Sequence, residues 1–283
     1  LYPGGPLRGE KWKEETIANT SEQQFQSEFE CDFVGSSATL ISTTVLKRLF
    51  PKRPMKKNAD SFCVHEKPEE DHTYFIVVDV ARGQAKDYSA FTVIDATEMP
   101  YKIAAKFYNN TVPPLVFPTI IDSVSKQYND AWILVEINDI GGQVADILHH
   151  DYENEFLLSV SSMGRSGQVL SGGFSGKGKT SLGVKTTTPI KRIGCSVLKS
   201  LIEEGKLTIE DEDIIKELTT FISRKQSYEA DDGHNDDLVM CLVLFGWLTR
   251  QEYFRNMTDM DVRTAIYEKQ IEGLEEDMSP FGF

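Results

Sequence analysis

Tyr74-Phe75-Ile76-Val77-Val78-Asp79 is a short apolar run that ends in a carboxylate. A continuous run of this kind, rich in β-branched residues, reads as a strand covered on both faces. An ionised carboxylate at its end is costly unless it is paired or binds a cation. Trp132-Ile133-Leu134-Val135 runs in the same way into Glu136, and Asn235-Asp236-Asp237 precedes eleven residues, Leu238 to Leu248, that are all apolar or glycine. Carboxylates at three element ends, far apart in sequence, point to one convergent site suited to divalent-metal chemistry on phosphodiesters.

Working outward, Tyr74 to Val80, Ser89 to Asp95 and Tyr101 to Tyr108 read as three successive strands, the first two joined by a loop over Ala81 to Lys86 that contains Gly83. Phe117 to Tyr128 has helical spacing, with Ile120, Ile121, Val124 and Tyr128 on one face. Trp132 to Ile137 reads as a fourth strand, Gly142 to His150 as a helix with Val144, Ile147 and Leu148 inward, and Phe156 to Val160 as a fifth strand. Pro189 suits the first turn of a helix reaching about Glu204, followed by helices over Ile214 to Ile222 and Leu238 to Leu248. Strands in sequence, then strands alternating with helices, predict an α/β fold with a mixed β-sheet flanked by helices. Residues 1–68 read as a lead-in with a basic, proline-interrupted linker from Lys47 to Pro54, residues 69–250 as the core domain and 251–283 as an acidic tail.

Net charge is −14, which argues against a generic nucleic-acid coat. The charge is segregated, however. Phe156 to Ile202 holds no acidic residue, while Arg165, Lys177, Lys179, Lys185, Lys191 and Arg192 all lie within it and form the candidate DNA-binding set. Cys31, Cys63, Cys195 and Cys241 are scattered without a CxxC pair and read as reduced thiols. Cys63-Val64-His65 with His72 lacks an obvious fourth ligand for zinc. No apolar run reaches the roughly 18 residues of a membrane span, and no secretory signal opens the chain. It begins at Leu1 and reads as a processed product or an excised fragment.

Alternation puts Phe75, Val77 and Asp79 on one strand face, and Trp132, Leu134 and Glu136 on another. If the two strands are parallel neighbours, both acids emerge at carboxyl ends, where open α/β sheets bind ligands. Asp87 sits across the hairpin loop from Asp79 and is placed to act as an outer or alternative ligand. Asp236 and Asp237 fall in the first turn of the last helix, with Asn235 as its cap. Successive helical residues diverge by about 100°, so one of the two faces the site, and the sequence does not choose between them. A set of acids with no His or Cys fits Mg²⁺, or Mn²⁺ in its place, better than zinc. Two such cations about 4 Å apart can activate a water and stabilise the leaving oxygen. Any one of these acids, taken singly, is equally a turn or helix cap.

Gly173-Phe174-Ser175-Gly176-Lys177-Gly178-Lys179-Thr180 satisfies the nucleotide-binding pattern GxxxxGK[ST]. A working phosphate loop needs a buried strand before it and a helix opening at its Lys-Thr. Here Gly164 to Gly172 precedes it, polar and glycine-rich, and β-branched residues with Pro189 follow. It reads as a false match, a basic loop that grips phosphates electrostatically.

The runs Tyr74 to Gly83, Asp87-Tyr88-Ser89-Ala90, Ile133 to Glu136 and Gly233 to Met240 together resemble the nuclease domain of the large terminase subunit, the DNA-packaging motor of T-even-type tailed phages. The lead-in around Glu22 to Phe33 resembles the segment that joins the motor's ATPase domain to its nuclease domain. The resemblance implies an RNase H-like fold and Mg²⁺-dependent endonuclease cleavage of double-stranded concatemeric DNA during packaging. Asp79, Glu136 and one of Asp236 or Asp237 become the metal ligands. It further implies action in the cytoplasm of the infected bacterial host, with the capsid portal protein, the small terminase subunit and the ATPase domain of the full-length protein as partners. Nothing before residue 70 could supply that ATPase, so the chain reads as the nuclease half alone. The rival readings are a stand-alone RNase H-like resolvase or ribonuclease, a non-catalytic portal-docking module and a nucleotide-binding protein.

Overall fold

A computed structural model describes residues 39–58, 61–81, 88–162, 168–171, 179–224 and 227–258. The chain opens with α1 (Thr43–Leu46), then β1 (Lys56–Lys57), β2 (Phe62–Val64), β3 (Tyr74–Asp79), β4 (Ser89–Asp95) and β5 (Tyr101–Asn109). α2 (Phe117–Gln127), β6 (Trp132–Val135) and α3 (Gly141–His150) follow, then β7 (Ser159–Ser162), β8 (Gln168–Ser171) and β9 (Lys179–Leu182). The last elements are α4 (Thr188–Glu203), β10 (Leu207–Thr208), α5 (Glu212–Thr220), β11 (Phe221–Arg224), β12 (Ser227–Ala230), α6 (Asp237–Leu248) and α7 (Glu252–Thr258).

The main sheet runs in the order β1-β2-β5-β4-β3-β6, with β10 joined to β5. β3, β4 and β5 form an antiparallel meander, and β6 lies parallel to β3, so the sheet is mixed. The run from Phe75 to Val78 is completely buried, as expected of a strand covered on both faces. One face, with Phe75, Val77 and Leu134, packs against α4, α5, α6 and α7; the other, with Ile76, Val78, Ile133 and Val135, packs against α2 and α3.

α6 is apolar all round, and every residue from Leu238 to Leu248 is buried, the place such a helix must occupy. It lies against α4 at backbone contact. A Cβ on Gly194 would sit 2.2 Å from the Val243 carbonyl oxygen, and one on Gly246 would sit 2.7 Å from the Gly194 carbonyl oxygen.

Three elements differ from their sequence reading. Phe221 and Ile222 continue the apolar spacing of α5, yet they form a strand paired with β12, with Leu40 donating its N–H to the Phe221 carbonyl at 3.0 Å. Phe156 to Val160 divides: Leu157 bridges Ile133 of the main sheet, while Ser159 and Val160 enter a separate antiparallel sheet of order β8-β7-β9. Within the stretch read as lead-in, Leu40, Ile41 and Leu46 are buried and β2 pairs with β5. Runs of two or three apolar residues are too short to show a period. Cys31, the loop over 82–87, the stretch 172–178 and the tail from 259 lie outside the described residues.

A charged cluster ties β5 to α5. The buried Lys106 ammonium donates to Asp211 at 2.6 Å and to Asp213, and His65 Nε2 lies 2.9 Å from the other Asp211 oxygen. Asp211 also caps α5, accepting the N–H groups of Asp213 and Ile214. Burial alone would raise this carboxyl; His65, Lys106 and the cap outweigh it and hold it down to about 2. His72 bonds Asp95 at 2.6 Å, so both histidines of the candidate zinc cluster serve carboxylates instead. Lys106→Ala should leave the buried Asp211 with only His65 and the cap N–H groups and cost up to about 3–5 kcal/mol, read as a lower urea midpoint at pH 7. In the wild type this contribution is present above pH 3.8 and is lost as pH falls toward about 2. The variant, which keeps His65 and the cap, should show a smaller acid limb there.

Candidate metal centre

β3 and β6 bring two carboxylates level. Their parallel register pairs Val78 with Val135, and the Glu136 N–H donates to the Val78 carbonyl at 2.9 Å. Asp79 and Glu136 thus leave adjacent strands on the face under α4 and α6. A Cβ on Gly141 would fall 1.8 Å from the Glu136 carbonyl oxygen, so only glycine lets α3 begin this close to the acid. Asn138 steadies the carboxylate, donating Nδ2 to Glu136 Oε1 at 3.0 Å and to the Thr186 carbonyl at 3.3 Å.

α6 supplies the other acids. Asp236, not Asn235, is its N-cap residue, and Asp237 begins the helix. Asn235, one position before the cap, donates its side-chain amide to Asp237 Oδ2 at 3.3 Å. Asp236 Oδ2 accepts the Ala230 N–H at 3.3 Å and lies 4.0 Å from the Lys191 ammonium. Asp87 lies outside the described residues, so its relation to the group is a matter for proposal.

The acids feel one another. Burial, then the Glu136 charge and a hydrogen bond to Glu136, push the Asp79 carboxyl well above the usual range, with Asp237 and Asp236 adding to the effect. Burial also raises Asp236, and Lys191 opposes it. A further acid, Glu217 of α5, stands beside them. It is buried, its carboxyl is pushed up to about 8 by that burial, and the Asp237 and Asp236 charges raise it further. Sequence reasoning missed Glu217, although there was a signal. It lies three residues after Ile214 and one before Leu218, both fully buried, on the apolar face of its helix.

The basic candidates separate. Arg165 and Lys177 lie outside the described residues, and Lys179 opens β9. That strand stands where a nucleotide-binding loop would start a helix, the contradiction already legible in the flanking sequence. Lys185 is exposed. Lys191 turns toward Asp236 and over the Phe221 ring, 5.6 Å from its centroid. Arg192, its neighbour in sequence, instead lines an open groove with Lys206, Arg250 and Arg255.

Among the described residues no three His, Cys, Asp or Glu side chains form a ready-made ligand cluster; the acids pair with each other and with nearby amides. The donor chemistry nevertheless fits a hard divalent cation. The convergent groups are carboxylates, and Asn138 Oδ1, beside Glu136 through its own amide, and Thr186 Oγ1 are buried oxygens without a hydrogen-bond partner.

A mixed sheet flanked by helices, with acids at the ends of β3 and β6 and at the start of α6, defines an RNase H-like nuclease fold. The sequence model described as the terminase RNaseH-like domain matches residues 76–245. The chain belongs to this family, the nuclease part of the large terminase that packages phage DNA. Among solved structures it is similar to the large terminase nuclease from thermophilic phage G20c with bound magnesium, at TM-score 0.57 and 22% identity over 77% of this chain and 100% of that one. The cobalt-bound form of the same nuclease matches to the same extent. The Thermus phage P74-26 large terminase nuclease domain matches at TM-score 0.52 and 22% identity, over 71% of this chain and 91% of that one. At such identity the likeness is one of fold.

Removing divalent cations should make stability depend on pH in a particular sense. Glu217 is raised from 4.5 to about 8 in the folded chain, and Asp79 is also raised, so both favour the protonated native state. Their contribution is complete below the unfolded value and is lost as pH rises through the folded one. In EDTA, the melting temperature should fall between pH 4.5 and about 8. Added Mg²⁺ should offset that fall by favouring the ionised acids.

Proposed function

We propose that the chain is a Mg²⁺-dependent endonuclease that hydrolyses the phosphodiester backbone of double-stranded concatemeric DNA. Asp79, Glu136 and at least one of Asp236 and Asp237 would hold the cations, Mn²⁺ would substitute, and Asp87 would serve as an outer or alternative ligand. The observation that carries the reading is the direct pairing of Asp79 with Glu136 at two parallel strand ends, with the acidic start of α6 acting on Asp79. Divalent cations bound there would supply an activated water and charge stabilisation at the leaving oxygen. Asn138 orients Glu136, and Lys191, beside Asp236, is placed to meet a phosphate as it enters.

The acid-free segment supports a local DNA-binding face on an acidic protein, through Arg165, Lys177, Lys179, Lys185, Lys191 and, on another side of α4, Arg192. Residues 69–250 would be the nuclease unit. The lead-in would connect to an ATPase domain of the full-length protein; of the segment read as a tail, 251–283, α7 packs into the core through Phe254 and Met257. The portal protein and small terminase subunit would be further partners within the packaging machinery, in the host cytoplasm. No helix among the described residues is long and apolar enough to cross a membrane.

Asp79→Asn, Glu136→Gln and a double Asn substitution at Asp236 and Asp237 should each abolish metal-dependent cleavage of linear duplex DNA. The metal-free fold should be retained, because neutralising crowded acids relieves repulsion. Wild-type nicking rates in the Asp79 and Glu136 variants with Mg²⁺ would falsify the site. Replacing Lys177, Lys179 and Lys185 together by Ala should weaken binding similarly on all sequences. It should also flatten the dependence of log affinity on log salt by roughly two to three, about 0.9 for each phosphate left without its lysine. Titrations at several salt concentrations, on the cleavage-dead Asp79→Asn background, measure it.

A further inference from the structure

We infer that Glu217 caps helix α6 from a different helix, and that this spares the Asp236 carboxylate from the cap so that it can serve a cation; the inference rests on the metal-centre reading above. The first N–H groups of a helix have no intrahelical partner, and an Asp at the N-cap ordinarily accepts one of them through its own side chain. Asp236 occupies the cap of α6 and makes no such bond. Its backbone carbonyl accepts the first intrahelical bond, from Met240 at 2.7 Å, while its side chain turns away to the Ala230 N–H and Lys191.

The cap bond is made instead by Glu217 Oε2, which accepts the N–H of Val239, the third helical residue, at 2.9 Å and from 22 positions earlier in the chain. Glu217 is only 5% exposed, and its second oxygen, Oε1, accepts no hydrogen bond of normal geometry, although the Tyr108 hydroxyl is its neighbour. Val239 is completely buried, so no water can take over its N–H. α5 is itself anchored through its Asp211 cap to Lys106 and His65, which fixes where Glu217 stands. An N-cap Asp ordinarily accepts the N–H of the second or third helical residue, so without an acceptor at position 217 the Asp236 carboxylate is the side chain suited to take over the Val239 N–H. Rotation into that role would take it out of the metal centre. Glu217 is therefore a positioning residue.

The test uses three variants, Glu217→Ala, Glu217→Met and Glu217→Gln, and two readings besides cleavage: Mn²⁺ affinity by calorimetry and hydrogen exchange at the Val239 amide. Gln keeps an acceptor for that amide, whereas Ala and Met do not; Met also keeps the side-chain volume should Ala fail to fold. The expected result is a loss of about 10–100-fold in Mn²⁺ affinity for the variants without an acceptor, the range typical of supporting residues around a metal. Faster exchange at Val239 should accompany it, and Gln should restore both readings to near wild type. Unchanged Mn²⁺ affinity in both Ala and Met overturns the inference and leaves Glu217 a structural residue. A loss in Gln equal to that in Met overturns it too, since the carboxylate charge rather than the cap would then matter. A wild-type chain that binds no Mn²⁺ sinks the metal reading and this inference with it, which separates the two failures.

Discussion

Burying α6 is the constraint on which the rest of the molecule depends. A helix with no polar face from Leu238 to Leu248 has to be enclosed on every side. Here the enclosure is the β3–β4 face of the sheet below it, with Cys241 donating to the Ala90 carbonyl at 3.7 Å, and α4 pressed against it at Gly194 and Gly246. Once so enclosed, the helix has one polar end, and that end emerges where β3 and β6 terminate. The position of Asp236 and Asp237 relative to Asp79 and Glu136 is therefore set by apolar packing rather than by attraction between acids, which repel.

That repulsion is contained in a second way. Burial and the Glu136 charge raise the Asp79 carboxyl, Glu136 leans on Asn138, Asp237 on Asn235 and Asp236 on the Ala230 N–H, and the Lys191 ammonium lies 4.0 Å from Asp236. Packing supplies the stability against which these acids repel one another. A partly buried cluster of like charges, when ionised, opposes folding, which supports the proposed role of these acids.

On the opposite edge, Lys106 with Asp211, Asp213 and His65 shows buried charge used differently. There each charge has a partner, and the cluster joins β5 to α5. The two clusters are mechanically linked, because the same short helix begins at the Asp211 cap and carries Glu217 to the metal centre.

Continuous apolar runs made β3, β4, β5 and α6 legible in the sequence almost to the residue, since complete burial leaves a local trace that needs no partner to be read. Asp79, Glu136 and the Asp236–Asp237 pair were legible for the same reason, as charges that interrupt or open such runs. Other features depended on partners distant in sequence. Phe221 and Ile222 became a strand through pairing with β12 and Leu40, against the helical spacing they continue. Lys191 and Arg192, adjacent in one basic stretch, were sent to different sides of α4 by the helical turn between them. Glu217 acquired its role only when α5 was laid against the start of α6. Which segments are buried, and which acids stand at their ends, follows from the order of residues alone, because burial and periodicity are local properties of the chain. Which acid caps α6 was settled by packing, because a hydrogen bond across 22 residues exists only after the helices have come together.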